Sequence, residues 1–215
     1  MKPHYFFFSI LFLLSFFSVK AQQNSQSFSS DKELAVDLMI FHSPILNRNF
    51  VGFAADAKYY VAPNWGTGFS FSIANKRIST DFGVGSVEPD LSYVGIGWLN
   101  QWDVVQSESA RVGFNLNNGL AIVNLRDRSE TEVVWDEFGP SEVPVSRARS
   151  FFYVVEPGIT ASFRLVKTKN TPGIFLTTQA KYRKAFGNPE FGKSQDFSGY
   201  FIGVGVSFIG LFDTL

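Results

Sequence analysis

Cysteine is absent from this 215-residue chain. That excludes structural disulfides, thiolate metal sites, a cysteine nucleophile and the lipidated cysteine of a bacterial lipoprotein. Histidine is almost as scarce, with two in all, and only His42 lies beyond residue 21. One imidazole among scattered carboxylates gives no ligand spacing for zinc or calcium, so neither a metal nor a cofactor is expected. Charge of one sign is not in excess either: Lys plus Arg and Asp plus Glu stand at 19 each. Nothing in that balance points to a nucleic-acid partner or to an acidic disordered tail. Past its N-terminus the chain also lacks any apolar run of the ~20 residues that a membrane-crossing helix requires.

What is present begins with an export signal. Lys2 and His4 form a polar n-region, residues 6–17 an apolar h-region, and Val19-Lys20-Ala21 puts small residues at a cleavage site. Residues 1–21 are therefore expected to be removed. Residues 22–32 are polar and rich in Ser and Gln, and are expected as a periplasmic lead-in, leaving 33–215 as a single domain.

That domain alternates apolar with small or polar residues, period two, in eight stretches. Strands are expected at 33–41, 50–61, 68–74, 91–104, 110–124, 150–165, 172–184 and 197–208. In the first, Leu34, Val36, Leu38 and Ile40 share one face and Ala35, Asp37, Met39 and Phe41 the other. The third sets Phe69, Phe71 and Ile73 against Gly68, Ser70, Ser72 and Ala74. Pro157 lies inside the sixth. Proline cannot donate to a ladder and a closed barrel has no free edge, so a bulge or bend is expected at Pro157-Gly158.

Two observations decide which face looks outward. The polar faces hold mainly Gly, Ser, Asn and Thr with few charges, which suits a narrow filled interior rather than a water-exposed wall. The connections also alternate: short at 62–65, 105–109 and 166–171, longer at 77–90, 125–149 and 185–196, with 43–49 the one brief member of the second set. Short periplasmic turns and longer external loops are the habit of outer-membrane barrels. The expected fold is thus all-β, a closed antiparallel eight-stranded up-and-down transmembrane barrel. Tyr59, Trp65, Trp102 and Phe163 are expected as an inner aromatic girdle, and Phe151, Tyr153, Tyr182 and Tyr200 as the outer one.

With its signal ending Lys20-Ala21-Gln22, its eight alternating stretches and the last strand around Gly205-Val206-Ser207-Phe208, the chain resembles small outer-membrane β-barrel proteins. The likeness is to the OmpA and OmpX size class, including the PorT-like barrels of Bacteroidota, and covers about residues 33–212. It departs where Asp213-Thr214-Leu215 follow the final aromatic residues. The resemblance implies residence in the cell outer membrane, contact with its lipid and lipopolysaccharide, recognition by the barrel insertion machinery, and a monomer.

An eight-stranded barrel has room inside for side chains, not for a wide channel. Asp37, Asp56, Lys58, Arg111, Glu156, Arg164, Lys181 and Arg183 all fall on the inward face, where buried charges survive only when paired. They are expected as an internal ion-pair network. The alternative is a narrow conduction path, which the excess of five cations over three anions would bias toward anions. His42 and Ser43 at the outer end of the first strand raise a lipid-modifying enzyme as a further alternative. Adjacent strand residues point to opposite faces, however, which places them poorly as a catalytic pair, and no catalytic residue is assigned. Gly83-Val84-Gly85 and Gly203-Val204-Gly205 lack the following helix that a phosphate-cradling loop needs.

The stretch 125–149 is the most distinctive connection. It mixes Arg126, Asp127, Arg128, Glu130 and Glu132 with Val133-Val134-Trp135 and Phe138. Such an apolar cluster either packs across the barrel mouth or meets a protein or glycan partner, with Arg128, Trp135 and Phe138 the interaction candidates. The function expected is a non-enzymatic envelope role, structural or in surface interaction through external loops.

Overall fold

A computed structural model describes residues 33–79, 82–166 and 173–210. The expected signal at 1–21, the lead-in at 22–32 and the chain end from 211 lie outside the described residues. Eight strands follow in order: β1 Glu33–Ile45, β2 Arg48–Ala62, β3 Trp65–Arg77, β4 Pro89–Gln106, β5 Ala110–Asp136, β6 Gly139–Val166, β7 Gly173–Phe186 and β8 Gly199–Ile209. A 3-10 turn, Ser194–Phe197, precedes β8. Each strand pairs antiparallel with the next, and β8 returns to β1 from Ala35↔Ile209 to His42↔Ile202, so the sheet closes as a barrel.

The period-two pattern is realised as an inside and an outside. β7 alternates along its whole length, with Phe175, Thr177, Gln179, Lys181 and Arg183 buried while Leu176, Tyr182 and Phe186 are exposed. Glycine fills inward positions where neighbouring backbones come too close for a side chain. A Cβ at Gly205 would overlap the Leu38 carbonyl oxygen, and one at Gly68 the carbonyl of Ala57. Close approach of this kind goes with the tight curvature of a small barrel.

Strand ends depart from the expected boundaries, chiefly at the end of the barrel that carries the longer connections, here the loop end. The external loop expected at 43–49 is a two-residue turn, Leu46-Asn47, with both residues at positive φ (52° and 57°). Such a turn matches the right-handed twist of a hairpin but strains a non-glycine residue. Leu46 is held there because its side chain is buried and its N–H donates to the Asp196 carbonyl at 2.6 Å.

The largest departure is at 125–149, which is not a loop. β5 and β6 run on as a ribbon from Thr131↔Pro144 to Asp136↔Gly139 and turn at Glu137-Phe138. These six pairs carry it roughly 20 Å beyond the bulge at Asp127/Thr131, at ~3.3 Å per residue. On one side the pairing with β4 ends at Pro89↔Asp127, and on the other the pairing with β7 ends at Tyr153↔Phe186. The ribbon is therefore an arm, paired only with itself.

Of the bulge or bend expected at Pro157-Gly158, no bulge is formed. β6 stays in register with β5 through Leu116↔Pro157, and on the β7 side pairing lapses at Glu156 and Pro157 and resumes at Gly158↔Lys181 without a shift. The missing N–H is accommodated by omitting rungs on one side rather than by inserting a residue. Register shifts lie nearer strand ends, at Tyr60/Ala62, Asp103/Val105 and Arg164/Val166 by the short turns and at Leu125/Arg126 and Asp127/Thr131 below the arm.

Candidate functional site

The outer wall is apolar. Ile40, Phe53, Phe69, Ile96, Leu120 and Ile202 are all exposed, and Phe69 packs edge-on against Trp98 at 4.8 Å. Rings gather at both margins. Trp65 pairs across the ladder with Trp102 at the turn end, and Tyr182 with Tyr200 toward the loop end, each ring exposed as the two girdles require. A hollow of about 610 Å³ lies on this wall above Ala55 and Ala57, lined by Phe69, Phe71, Ile96, Trp98 and Leu120. Its lining suits a lipid acyl chain, not polar chemistry.

Inside, the lumen has two storeys. The one nearer the short turns is polar. Lys58 Nζ donates to Asp37 Oδ2 at 2.6 Å and to Gln101 Oε1 at 2.9 Å, while Gln101 Nε2 donates to Asp103 Oδ1 at 2.6 Å. The Tyr60 hydroxyl donates to Asp103 Oδ2 at 3.0 Å, and Arg111, stacked over the Tyr60 ring, donates to Glu33 Oε2 at 2.6 Å. Higher up, Lys181 faces Asp56 at 3.9 Å and Gln179 Nε2 donates to the same carboxylate at 3.2 Å. Asn117 donates to Glu156, and the hydroxyls of Ser162, Thr177 and Ser207 form a chain across three strands.

Seven of the eight expected network residues lie buried in the interior, and Arg164 is half-buried at the turn-end rim over the Phe175 ring, 5.3 Å away. The expected network missed Glu33 and Asp103, both buried, although strand parity from Asp37 and Gln101 marks each as inward. With them, Glu33, Asp37, Asp56, Asp103 and Glu156 balance Lys58, Arg111, Arg164, Lys181 and Arg183. The expected cation excess, and with it the bias toward anions, disappears.

The storey nearer the loops is apolar, in contrast to the mainly polar inward faces of the sequence pattern. Met39, Phe41, Phe50, Leu91, Val123 and Phe152 are inward and buried here. Phe41 stacks on Phe201 at 4.5 Å, and Phe152 packs tilted against Phe197 at 4.3 Å. Phe197, expected to begin the last strand, sits in the 3-10 turn and drops its ring into the mouth, where Phe191 contacts it. Arg183 fastens this plug: its Nε donates to the Phe197 carbonyl at 3.0 Å, and one terminal nitrogen to Ser43 Oγ at 2.8 Å and the Pro44 carbonyl at 3.2 Å. The guanidinium lies 4.8 Å from the centre of the Tyr93 ring. Ser43 is thus inward and engaged, while His42 points outward and stacks on Tyr200. The two do not form a nucleophile–base pair.

At the root of the arm the Asp127 carboxylate, fully buried, accepts from the Ser129 hydroxyl (2.6 Å) and from the N–H groups of Val87 (2.9 Å), Glu88 (3.2 Å) and Ser129 (3.0 Å). The Ser129 hydroxyl first, then these N–H groups, hold its carboxyl well below the usual carboxylate range. Arg147 bridges Asp127 at 3.5 Å and Glu130 at 2.5 Å. This clip ties the bulge to the β3–β4 connection.

Of the three interaction candidates, the fold separates Arg128, exposed at the root, from Trp135 and Phe138 at the tip. Trp135 is 77% exposed and Phe138 93%, with Val133 and Val134 exposed below them. The apolar cluster does not pack across the mouth, because the plug already fills it.

A closed wall with an apolar outside, aromatic margins and a charge-paired inside is that of a small transmembrane β-barrel of the outer membrane. No protein-family model and no curated protein matches the chain. Among solved structures it is similar to Ail, the attachment invasion locus protein of Yersinia pestis, in complex with the heparin analogue sucrose octasulfate, at 14% identity over 83% of this chain and 97% of that one, TM-score 0.45. It is similar to Neisserial surface protein A at 11% identity over 85% and 98%, TM-score 0.49. It is also similar to the outer membrane protein OprG from Pseudomonas aeruginosa, at 9% identity over 85% and 97%, TM-score 0.49.

Proposed function

We propose that the protein is a non-enzymatic surface-interaction barrel, anchored by its lipid-facing wall and acting through the β5–β6 arm on the outside of the cell, with its short turns toward the periplasm. The observation that carries this reading is the exposed Trp135 and Phe138 at the tip of a ribbon whose strands pair only with each other. Large rings held in water are costly unless a partner covers them. The aromatic plug supports a wall closed to solutes over a narrow channel, and the opposed directions of His42 and Ser43 weigh against a lipid-modifying site.

The test replaces residues 131–144 with a short Gly-Ser turn, leaving the clip at Asp127 in place, and compares surface cross-linking of the two forms in cells. A partner captured by the intact protein and lost with the arm supports the reading. Identical capture by both forms overturns it.

A further inference from the structure

The arm carries its charges in two separate zones. Arg126, Arg128, Arg147 and Arg149 gather at its root, where Arg147 is paired with Asp127 and Glu130 and Arg149 donates to Asn124. Beyond the root, residues 131–146 contain Glu132, Asp136, Glu137 and Glu142 and no Lys, Arg or His. The acids at 132, 137 and 142 are exposed.

Cross-strand register sorts these side chains by face. Residues directly opposite in an antiparallel pair share a face, so Trp135↔Pro140, Val133↔Glu142 and Thr131↔Pro144 make up one side of the ribbon. On that side Glu142 is the diagonal neighbour of Trp135, two rungs below it, and the Glu137-Phe138 turn closes the top. An indole with an open face beside carboxylates is a receptor for a cation: the ring attracts a guanidinium or ammonium through its quadrupole, and the carboxylate accepts its N–H groups. Phe138 and Val133 add apolar contact around it. The same set repels a polyanion.

We propose that this face of the arm docks a basic protein segment, taking an arginine or lysine side chain against Trp135 with Glu142 and Glu137 as its counter-charges. The proposal rests on the arm being the functional part of the barrel, and it names the partner's chemistry as cationic polypeptide rather than acidic glycan or lipid phosphate.

The test uses the full-length protein folded in detergent, with Trp65, Trp98 and Trp102 replaced by Phe so that Trp135 alone reports. The probes are a short Arg-Gly repeat peptide, a Glu-Gly repeat peptide of equal length, and heparin. The expected result is a Trp135 emission change and saturable binding with the Arg-Gly peptide only, weakening as salt rises. Affinity, read for every variant from the anisotropy of a dye-labelled Arg-Gly peptide, should fall about tenfold or more in Trp135→Leu and in the double variant Glu137→Gln/Glu142→Gln, and less in Trp135→Phe, which keeps an aromatic face. Heat-shifted gel mobility confirms that each variant is folded. Equal or tighter binding of heparin or the Glu-Gly peptide overturns the proposal, as does Arg-Gly binding that Trp135→Leu leaves unchanged, or no binding at all. If cells show arm-dependent capture while the Arg-Gly peptide fails to bind, the partner class is wrong and the surface role stands; if capture does not depend on the arm, the surface role itself falls.

Discussion

Asp37 and Asp56 stand directly opposite one another on β1 and β2, both buried in the lumen, each with a cation of its own, Lys58 from β2 and Lys181 from β7. Like charges in that position repel. The pair persists because Lys58 neutralises Asp37 at 2.6 Å while Lys181, at 3.9 Å, and the Gln179 amide face Asp56. Removing one partner leaves a buried charge uncompensated, which costs about 3–5 kcal/mol. Lys58→Met should therefore lower the urea midpoint of the folded barrel markedly. The double variant Lys58→Met/Asp37→Asn should recover a large part of that loss, because it removes both charges together. Equal midpoints for the wild type and Lys58→Met would contradict an ion-pair network that holds the wall.

Arg183 ties the loop end together by bonding the Phe197 carbonyl, Ser43 and Pro44 at once. Arg183→Met keeps much of the stem but loses these donors. We expect amide exchange to quicken across 187–198 and at the Leu46-Asn47 turn, with little change along the strands around Phe69 and Trp98. Uniform acceleration over the barrel would mean that Arg183 supports the wall rather than the plug.

The plug predicts that the wild-type protein does not conduct in a planar bilayer. Phe191→Ala/Phe197→Ala removes the two rings that the loops insert and should bring brief, small openings. Because the lumen charges balance, those openings should show little preference between cations and anions. Steady wild-type conductance would contradict a sealed mouth.

The faces of the strands were legible in the sequence because alternation does not depend on where a strand ends. Parity alone assigns Asp56, Lys58, Lys181 and Arg183 inward, and it assigns Glu33 and Asp103 inward as well. The ends were harder. Leu46-Asn47 carries no glycine to mark a hairpin, and its positive φ values are sustained by contacts with Asp196 and the plug, which are remote in sequence. The arm was hidden by composition: its charges, Gly139, Pro140 and Pro144 read as loop, whereas Val133-Val134-Trp135 supplies the strand preference that prevails. The plug was hidden too, since Phe41 or Phe152 on an inward face becomes a core residue only when Phe191 and Phe197 arrive from a separate loop.

The Asp127 clip sets a pH dependence for the arm root. A carboxyl whose folded pKa is depressed contributes stability that is fully present above its unfolded value, about 3.9, and is lost as pH falls through the lower folded value. Protease nicking near 126–130 should therefore stay constant from neutral pH down to about 4 and rise only in stronger acid. Asp127→Asn should show raised nicking already at neutral pH. A rise in the wild type between pH 7 and about 5 would place the control elsewhere.

The orientation of the wall, with hydrocarbon toward lipid and the arm in water, is tested most directly by quenching single-tryptophan variants in bilayers. Trp98 alone should be quenched strongly by lipids brominated deep in their chains and be protected from aqueous iodide, while Trp135 alone should show the reverse. Iodide-accessible Trp98 that bromolipid leaves bright would contradict the account at its base.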